Sequence, residues 1–401
     1  MNRVANAARL TGAGALIFLG LCLPASLAFS SLGLGLAALC AVVVLVTDRN
    51  AWASLFPLRW IALGLALWIA SYLLSTALSE QAHWKKIVDE LWTRLLLFVP
   101  LILIGSKPQW LRRNLLWMLY LAALVALFAI SQHFHGRDVW RGGFVGHYGE
   151  LYQSVGFFGH HLSYGGHVML MSLLALSCVW HRFASLPLWL SLSLIFVVAL
   201  VWTFSRSSQL GFLAGGCYLA LFSPFGRRRW KFLGFVAVLA VAMLLPDVRE
   251  RSLSLLDVTQ EPTRLNLWRS SIDAFLARPL VGYGPGNFAL ILRDFRITGF
   301  YDSTSHAHSD YLMLALNGGL FTLCAFAFMM ATIYRRLGVG LERDVVWLRA
   351  AKACWVAILV AGVFQFYQAD DEVEFALFYI LGHALALGAG LSTASEESPA
   401  A

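Results

Sequence analysis

Residues 186–222 read LPLWLSLSLIFVVALVWTFSRSSQLGFLAGGCYLALF. Two apolar runs, 186–204 and 207–223, flank a short polar break that holds Arg206. A helix needs about 20 apolar residues to cross the ~30 Å hydrocarbon layer, so each run reads as one crossing and the break as a turn at the membrane surface.

The pattern continues in both directions. The chain has 401 residues, 59% hydrophobic and 13% charged, with a mean hydropathy of +0.70. A soluble domain carries about a quarter charged residues, so a soluble globular fold is excluded. Spans are predicted at 11–29, 31–46, 58–78, 93–105, 112–131, 161–180, 186–204, 207–223, 231–246, 316–333, 348–368 and 373–392. The expected fold class is therefore an all-α polytopic membrane protein of about 12 transmembrane helices. It forms a single domain, residues 1–392, with one large partly helical loop at 247–315 and a disordered tail at 393–401. The first apolar run follows Arg3 and Arg9 but ends without a small-residue cleavage site, which predicts a retained span.

Lysine and arginine fall in alternate loops: Arg3 and Arg9, Arg49, Lys107 with Arg112 and Arg113, Arg182, Arg227–Arg229 with Lys231, and Arg335 with Arg336. By the positive-inside tendency this side, with both termini, is cytoplasmic, and the polar, histidine-rich loops face the other way. The net charge of +8 is then a topology signal, able to contact anionic lipid heads, and no argument for nucleic acid. The six cysteines lie singly inside predicted spans, which supports neither a disulfide framework nor a zinc site.

Chemistry is expected where the chain stops being apolar, because ionisable groups near hydrocarbon are costly and usually functional. The loop 247–315 holds Arg264, Arg269, Arg278, Arg293, Arg296, His306 and His308. Pro262 and Thr263 start a predicted amphipathic helix at 264–276, Arg278-Pro279 ends it, and Gly282, Gly284, Pro285 and Gly286 impose a tight turn before a second helix at 287–295.

His306 and His308 precede a span with the pair Gly318-Gly319 about three turns on. An imidazole, with an ordinary pKa of about 6.5, can take a proton from an alcohol at neutral pH. The same two histidines can instead cap a helix, or ligate a metal with Asp302 and Asp310. Arg206 lies on the side where arginine is not the default, so either an anion or a snorkelling or salt-bridged geometry keeps it there. Arg264 carries a planar fork suited to phosphate, and two such arginines can neutralise a diphosphate without magnesium.

Arg269, Arg278, Arg293 and Arg296, and Lys85 with Lys86, read as secondary candidates or as solvated charges. Asp370, Asp371, Glu372 and Glu374 either orient a basic residue or form a salt-bridged turn. His160, His161 and His167 read as packing or interfacial residues. No G-x-x-x-x-G-K-[ST], G-x-S-x-G or H-E-x-x-H motif occurs, which removes support for nucleotide hydrolysis, serine hydrolysis and zinc proteolysis.

Three elements together resemble the bacterial O-antigen ligase and O-antigen polymerase superfamily of membrane glycosyltransferases. They are the R-x-x-x-L of Arg206 to Leu210, the arginine and tryptophan helix with P-L-x-G-x-G-x-G-x-F from Arg264 to Phe288, and the histidine-to-glycine element from His308 to Gly319. The resemblance implies a GT-C-like enzyme of the bacterial inner membrane with a periplasmic active site. It would move O-antigen from undecaprenyl diphosphate to a sugar hydroxyl of the lipid A-core, with inversion and with no metal or other cofactor.

On the matching positions the resemblance implies that Arg206 and Arg264 hold the diphosphate and that His308 activates the acceptor, with Lys85, Lys86, Arg269, Arg293, His306 and Asp370 as secondary candidates. An O-antigen polymerase or a protein O-glycosyltransferase is the alternative within the superfamily. A lipid-linked sugar transporter is the alternative outside it, disfavoured because transport sites sit near the midplane.

Overall fold

A computed structural model of the chain describes residues 3–105, 107–148, 151–222, 262–301, 304–338 and 345–396, with side chains as far as Ala389. The span expected at 231–246, the first part of the large loop (247–261), Asp302, Arg227–Arg229 and Lys231 lie outside the described residues.

The helices in chain order are α1 (Arg3–Cys22), α2 (Leu27–Thr47), α3 (Asn50–Leu55), α4 (Arg59–Ala77), α5 (Trp84–Leu91), α6 (Val99–Ile104), α7 (Pro108–His135), α8 (His161–Trp180), α9 (Leu186–Trp202) and α10 (Arg206–Phe222). They continue as α11 (Pro262–Ala277), α12 (Phe288–Phe295), α13 (Asp310–Arg336), α14 (Val345–Ala361) and α15 (Asp371–Glu396). A two-residue hairpin, β1 (His147–Tyr148) with β2 (Leu151–Tyr152), lies between α7 and α8.

Among the described residues seven helical segments are long and apolar enough to cross a membrane: α1, α2, α3 with α4, α7, α8, α13 and α15. Shorter α9, α10 and α14 have 17 residues each. The protein is an all-α membrane protein. Outward residues of α2, Phe29, Leu32, Leu36, Leu39, Val42 and Val46, repeat every three or four positions and are all exposed, the stripe a lipid-facing helix presents.

Three expected spans come out differently, and one of them, 348–368, is shortened because α14 ends at Ala361 and 362–370 form a turn. The first is displaced: α1 begins at Arg3 and ends at Cys22, because Pro24 lacks the N–H that would continue the helix, and Ser26 then caps α2 by accepting from the Phe29 amide. The span expected at 93–105 is no regular crossing, since residues 92–97 form tight 3₁₀ turns before the six-residue α6. The reason is Arg94, fully buried, whose guanidinium reaches inward to Glu374 and Gln368 and lies 5.0 Å from the ring centres of Trp68 and Phe378. Helix α15 is the central post, with 94% of its apolar window buried against α6, α7, α8 and α14. It continues to Glu396, four residues into the stretch read as a disordered tail at 393–401.

The large loop builds a module with its own core of Leu267, Ala274, Phe288, Ile291, Leu292, Ala307, Met313 and Leu316. Both loop helices form where expected, at 262–277 and 288–295. The module is fastened to α13 at a break in that helix. Gly318 (φ −152°) and Gly319 (φ +66°) leave helical geometry, which frees the carbonyls of Leu316 and Asn317 and the amides of Leu320 and Phe321. The turn after α11 takes up all four groups. Tyr283 and Gly284 donate to Leu316 and Asn317 at 2.7 and 3.1 Å, while Leu320 and Phe321 donate to Pro279 and Leu280 at 2.8 and 3.4 Å. Broken backbone at membrane depth persists only when neighbouring protein satisfies it in this way.

Candidate active site

Where the loop module meets the bundle lies a cavity of about 1060 Å³. First-turn residues of five helices line it: His161 to Ser163 of α8, Arg206 of α10, Thr263 and Arg264 of α11, Phe288 and Ala289 of α12, and Asp371 and Glu372 of α15. Each helix start carries roughly half a positive charge, so their convergence favours an anion. Two of these starts add a guanidinium.

Arg206 owes its place to the sharp entry into α10. Phe204 takes a left-handed conformation (φ +56°), and the Ser205 amide donates to the Thr203 hydroxyl at 3.1 Å. Ser207 and Ser208 then meet the Tyr367 hydroxyl at 3.1 and 2.7 Å, which pins the start of α10 to the turn before α15. Gly165 of α8 admits this approach, because a Cβ there would lie 2.7 Å from that of Ser205.

His308 also takes a left-handed conformation (φ +49°), rare for a residue with a side chain and the kind of strain that accompanies functional sites. Its surroundings hold it there. The His308 amide donates to His306 Nδ1 at 3.1 Å, Trp268 of α11 donates to the Ala307 carbonyl at 3.0 Å, and His308 Nδ1 meets Gln365 Oε1 at 3.2 Å. Gln365 belongs to the turn 362–370, which Asp310 anchors. The Asp310 carboxylate accepts the Tyr367 and Gln368 amides at 2.7 and 2.8 Å, and its own amide donates to Gly362 at 2.7 Å.

His306, His160, Glu90 and Asp370 at the cavity are displaced from their ordinary values. Burial, then the neighbouring charges of His308, Arg264 and His160, push His306 down to about 3, so it stays neutral and its Nδ1 can accept from the His308 amide. His160 is lowered by burial. Burial raises Glu90 to about 7 against the opposing pull of Arg94, and Asn317 donates to its carboxylate at 3.2 Å. Asp370 is raised to about 8 by burial and by Glu372, although Ser163 donates to it at 2.7 Å.

Arg206, Arg264, His308, His306, Lys86 and Asp370 thus line one cavity. Lys85, Arg269 and Arg293 are not among its lining residues. Arg293 is exposed and bonded to Asp294 at 2.7 Å, with Glu80 at 3.4 Å. Arg278 and Arg296 lie over Tyr283 and Tyr301 at 4.9 and 4.4 Å.

His160 and His161, read from sequence as packing or interfacial residues, border the cavity, as do Glu90 and Gln365. The signal for the histidines was present in their position at a predicted span start. Asp310 was marked in the sequence only as a possible metal ligand beside the histidines, and nothing local marked Gln365 or Arg94, whose partners are remote in the chain.

Comparison with known families adds an independent line. No curated protein matches the chain. Residues 188–327, from α9 into α13, match the family described as O-antigen ligase, and the matched stretch includes Arg206, Arg264, His306, His308 and the Gly318-Gly319 break. Over residues 188–327 the chain thus matches the family described as O-antigen ligase, in agreement with the superfamily that its motifs resemble.

Proposed function

We propose that this protein is an inverting, metal-independent glycosyltransferase of the bacterial inner membrane. It moves O-antigen from undecaprenyl diphosphate to a sugar hydroxyl of the lipid A-core. The observation that carries this reading is that Arg206 and Arg264 each open a helix bordering the cavity on which His308 also lies. The cavity faces the periplasm, both termini are cytoplasmic, and the architecture is GT-C-like.

Arg206 and Arg264 hold the diphosphate. As the bond between the anomeric carbon and the phosphate oxygen breaks, the electron pair leaves with the diphosphate, and guanidinium groups aided by helix N-termini favour that state over the intact donor. The acceptor hydroxyl attacks the opposite face of the anomeric carbon, and its proton passes to His308. The products are the extended glycolipid, with inverted anomeric configuration, and undecaprenyl diphosphate. Both substrates are lipid-anchored, which suits a cavity at the edge of the bundle.

The test is incubation of the purified protein in nanodiscs with undecaprenyl diphosphate O-antigen and O-antigen-free lipopolysaccharide in EDTA. A ladder of capped lipopolysaccharide supports the ligase. Longer glycan on undecaprenyl diphosphate, with the lipopolysaccharide unchanged, makes the protein a polymerase instead.

A further inference from the structure

The cavity pairs His308 with a neutral partner. Where an imidazole acts as a base, a second group commonly fixes its tautomer by accepting the proton of the other ring nitrogen, and that group is often a carboxylate. Here the group at His308 Nδ1 is the Gln365 amide oxygen, 3.2 Å away, on a side chain only 5% exposed that borders the same cavity.

We propose that Gln365 is the positioning residue of His308. Its Oε1 accepts the Nδ1 proton and so makes Nε2 the basic nitrogen presented to the acceptor hydroxyl. The inference rests on the role assigned to His308 above, and it assigns what orients that role.

Three features argue that the pairing is built. Gln365 sits in the turn 362–370, which is held from both sides. Asp310, two residues from His308, accepts the Tyr367 and Gln368 amides, and the Gln368 side chain accepts from buried Arg94 at 3.0 Å. The same turn presents the Tyr367 hydroxyl to Ser207 and Ser208 at the start of α10, so one rigid segment spaces His308 from Arg206. Trp268 ties the histidine segment to the same turn, since it bonds the Ala307 carbonyl and stacks on Phe364 at 6.0 Å.

The choice of an amide has a chemical consequence. A carboxylate would fix the same tautomer but would also stabilise the imidazolium and raise its pKa, whereas an amide orients the ring without adding charge. The site already balances cations against anions around the ring. The cavity sets the guanidinium and ammonium groups of Arg206, Arg264 and Lys86 against the carboxyl groups of Glu90, Asp370, Asp371 and Glu372, while His306 stays neutral. A neutral partner leaves that balance undisturbed.

The test uses purified full-length protein labelled with ¹⁵N-histidine, the His308 resonances being identified by their loss in His308→Gln. In the wild type Nδ1 is expected to carry the proton and Nε2 to be bare at high pH. Gln365→Leu is expected to move the proton to Nε2 and to lower kcat by about tenfold or more with KM little changed. Gln365→Glu, nearly isosteric, is expected to keep the Nδ1 proton and the plateau rate, but to move the acid limb of kcat/KM up by about one pH unit, because a base must be deprotonated to act.

A wild-type His308 protonated on Nε2, a Gln365→Leu variant with unchanged tautomer and rate, or an unshifted acid limb in Gln365→Glu overturns the proposal. The tautomer measurement needs no lipid substrate. Absence of transfer by the wild type would therefore strike the reaction assigned to the protein and leave the pairing to be decided by the spectrum.

Discussion

The Leu316 carbonyl, which helical geometry would pair with Leu320, is bonded instead by the Tyr283 amide at 2.7 Å. This exchange is the hinge pin of the molecule, since it fastens the loop module carrying Arg264 to the helix that follows His308. Glycine is required on both sides of it. Gly282 (φ +63°) and Gly319 (φ +66°) are left-handed, and a Cβ on either would collide with backbone of the opposite segment.

Gly282→Ala and Gly319→Ala are expected to destabilise the protein by about 2 kcal/mol or more, combining left-handed strain with displacement of the bonded segment. Thermal unfolding in detergent checks this. A variant as stable as the wild type would show that the break does not depend on these glycines.

Arg94 and Glu374 form a buried pair beneath the turn 362–370. Arg94→Leu leaves an uncompensated carboxylate in the bundle and is expected to cost about 3–5 kcal/mol, whereas the double variant Arg94→Leu/Glu374→Leu should recover more than half of that loss. Equal instability of single and double variants would mean that the contacts of Arg94 to Gln368, and not the charge pair, dominate.

Arg206→Lys and Arg264→Lys are expected to lower transfer at least about tenfold with unchanged folding, because an ammonium cannot reproduce the bidentate fork on a phosphate. Arg293→Ala provides the contrast. Its side chain is exposed and satisfied by Asp294, so stability should change by less than about 0.5 kcal/mol and transfer should not change. Loss of transfer in Arg293→Ala would redraw the site.

Asp370 yields a pH prediction. Its carboxyl is raised to about 8 in the folded protein, with burial as the first cause and Glu372 as the second. In the unfolded chain it ionises near pH 4, so between these values the native state binds more protons and stability falls as pH rises. The melting temperature of Asp370→Asn should therefore gain on that of the wild type progressively from about pH 5 to about pH 8. A gap independent of pH would contradict the raised value.

Much of this was legible in the sequence where the signal is local. Apolar runs mark the helices, Pro262 and Thr263 mark the start of α11, and the glycines of 282–286 mark a turn. What that turn docks on was not legible, because the exchange of hydrogen bonds with Gly318-Gly319 joins segments with no shared periodicity. Arg94 escaped for the same reason: it lies in an apolar run, and its partner Glu374 is 280 residues away. The three residues carried by the family motifs were picked from sequence and line one cavity. Of the turn 362–370 that spaces them, 362–368 was expected to be the end of a span and only Asp370 belonged to an acidic cluster, since the work of the turn is done by Gln365, Tyr367 and Asp310 through tertiary bonds.

The central claim is that this cavity transfers glycan with His308 receiving the acceptor proton. Its most direct test compares purified wild type with His308→Ala, in EDTA, on undecaprenyl diphosphate O-antigen and O-antigen-free lipopolysaccharide. The account predicts a ladder of capped lipopolysaccharide from the wild type alone, with both proteins equally folded. Ladders of equal yield from both would contradict it.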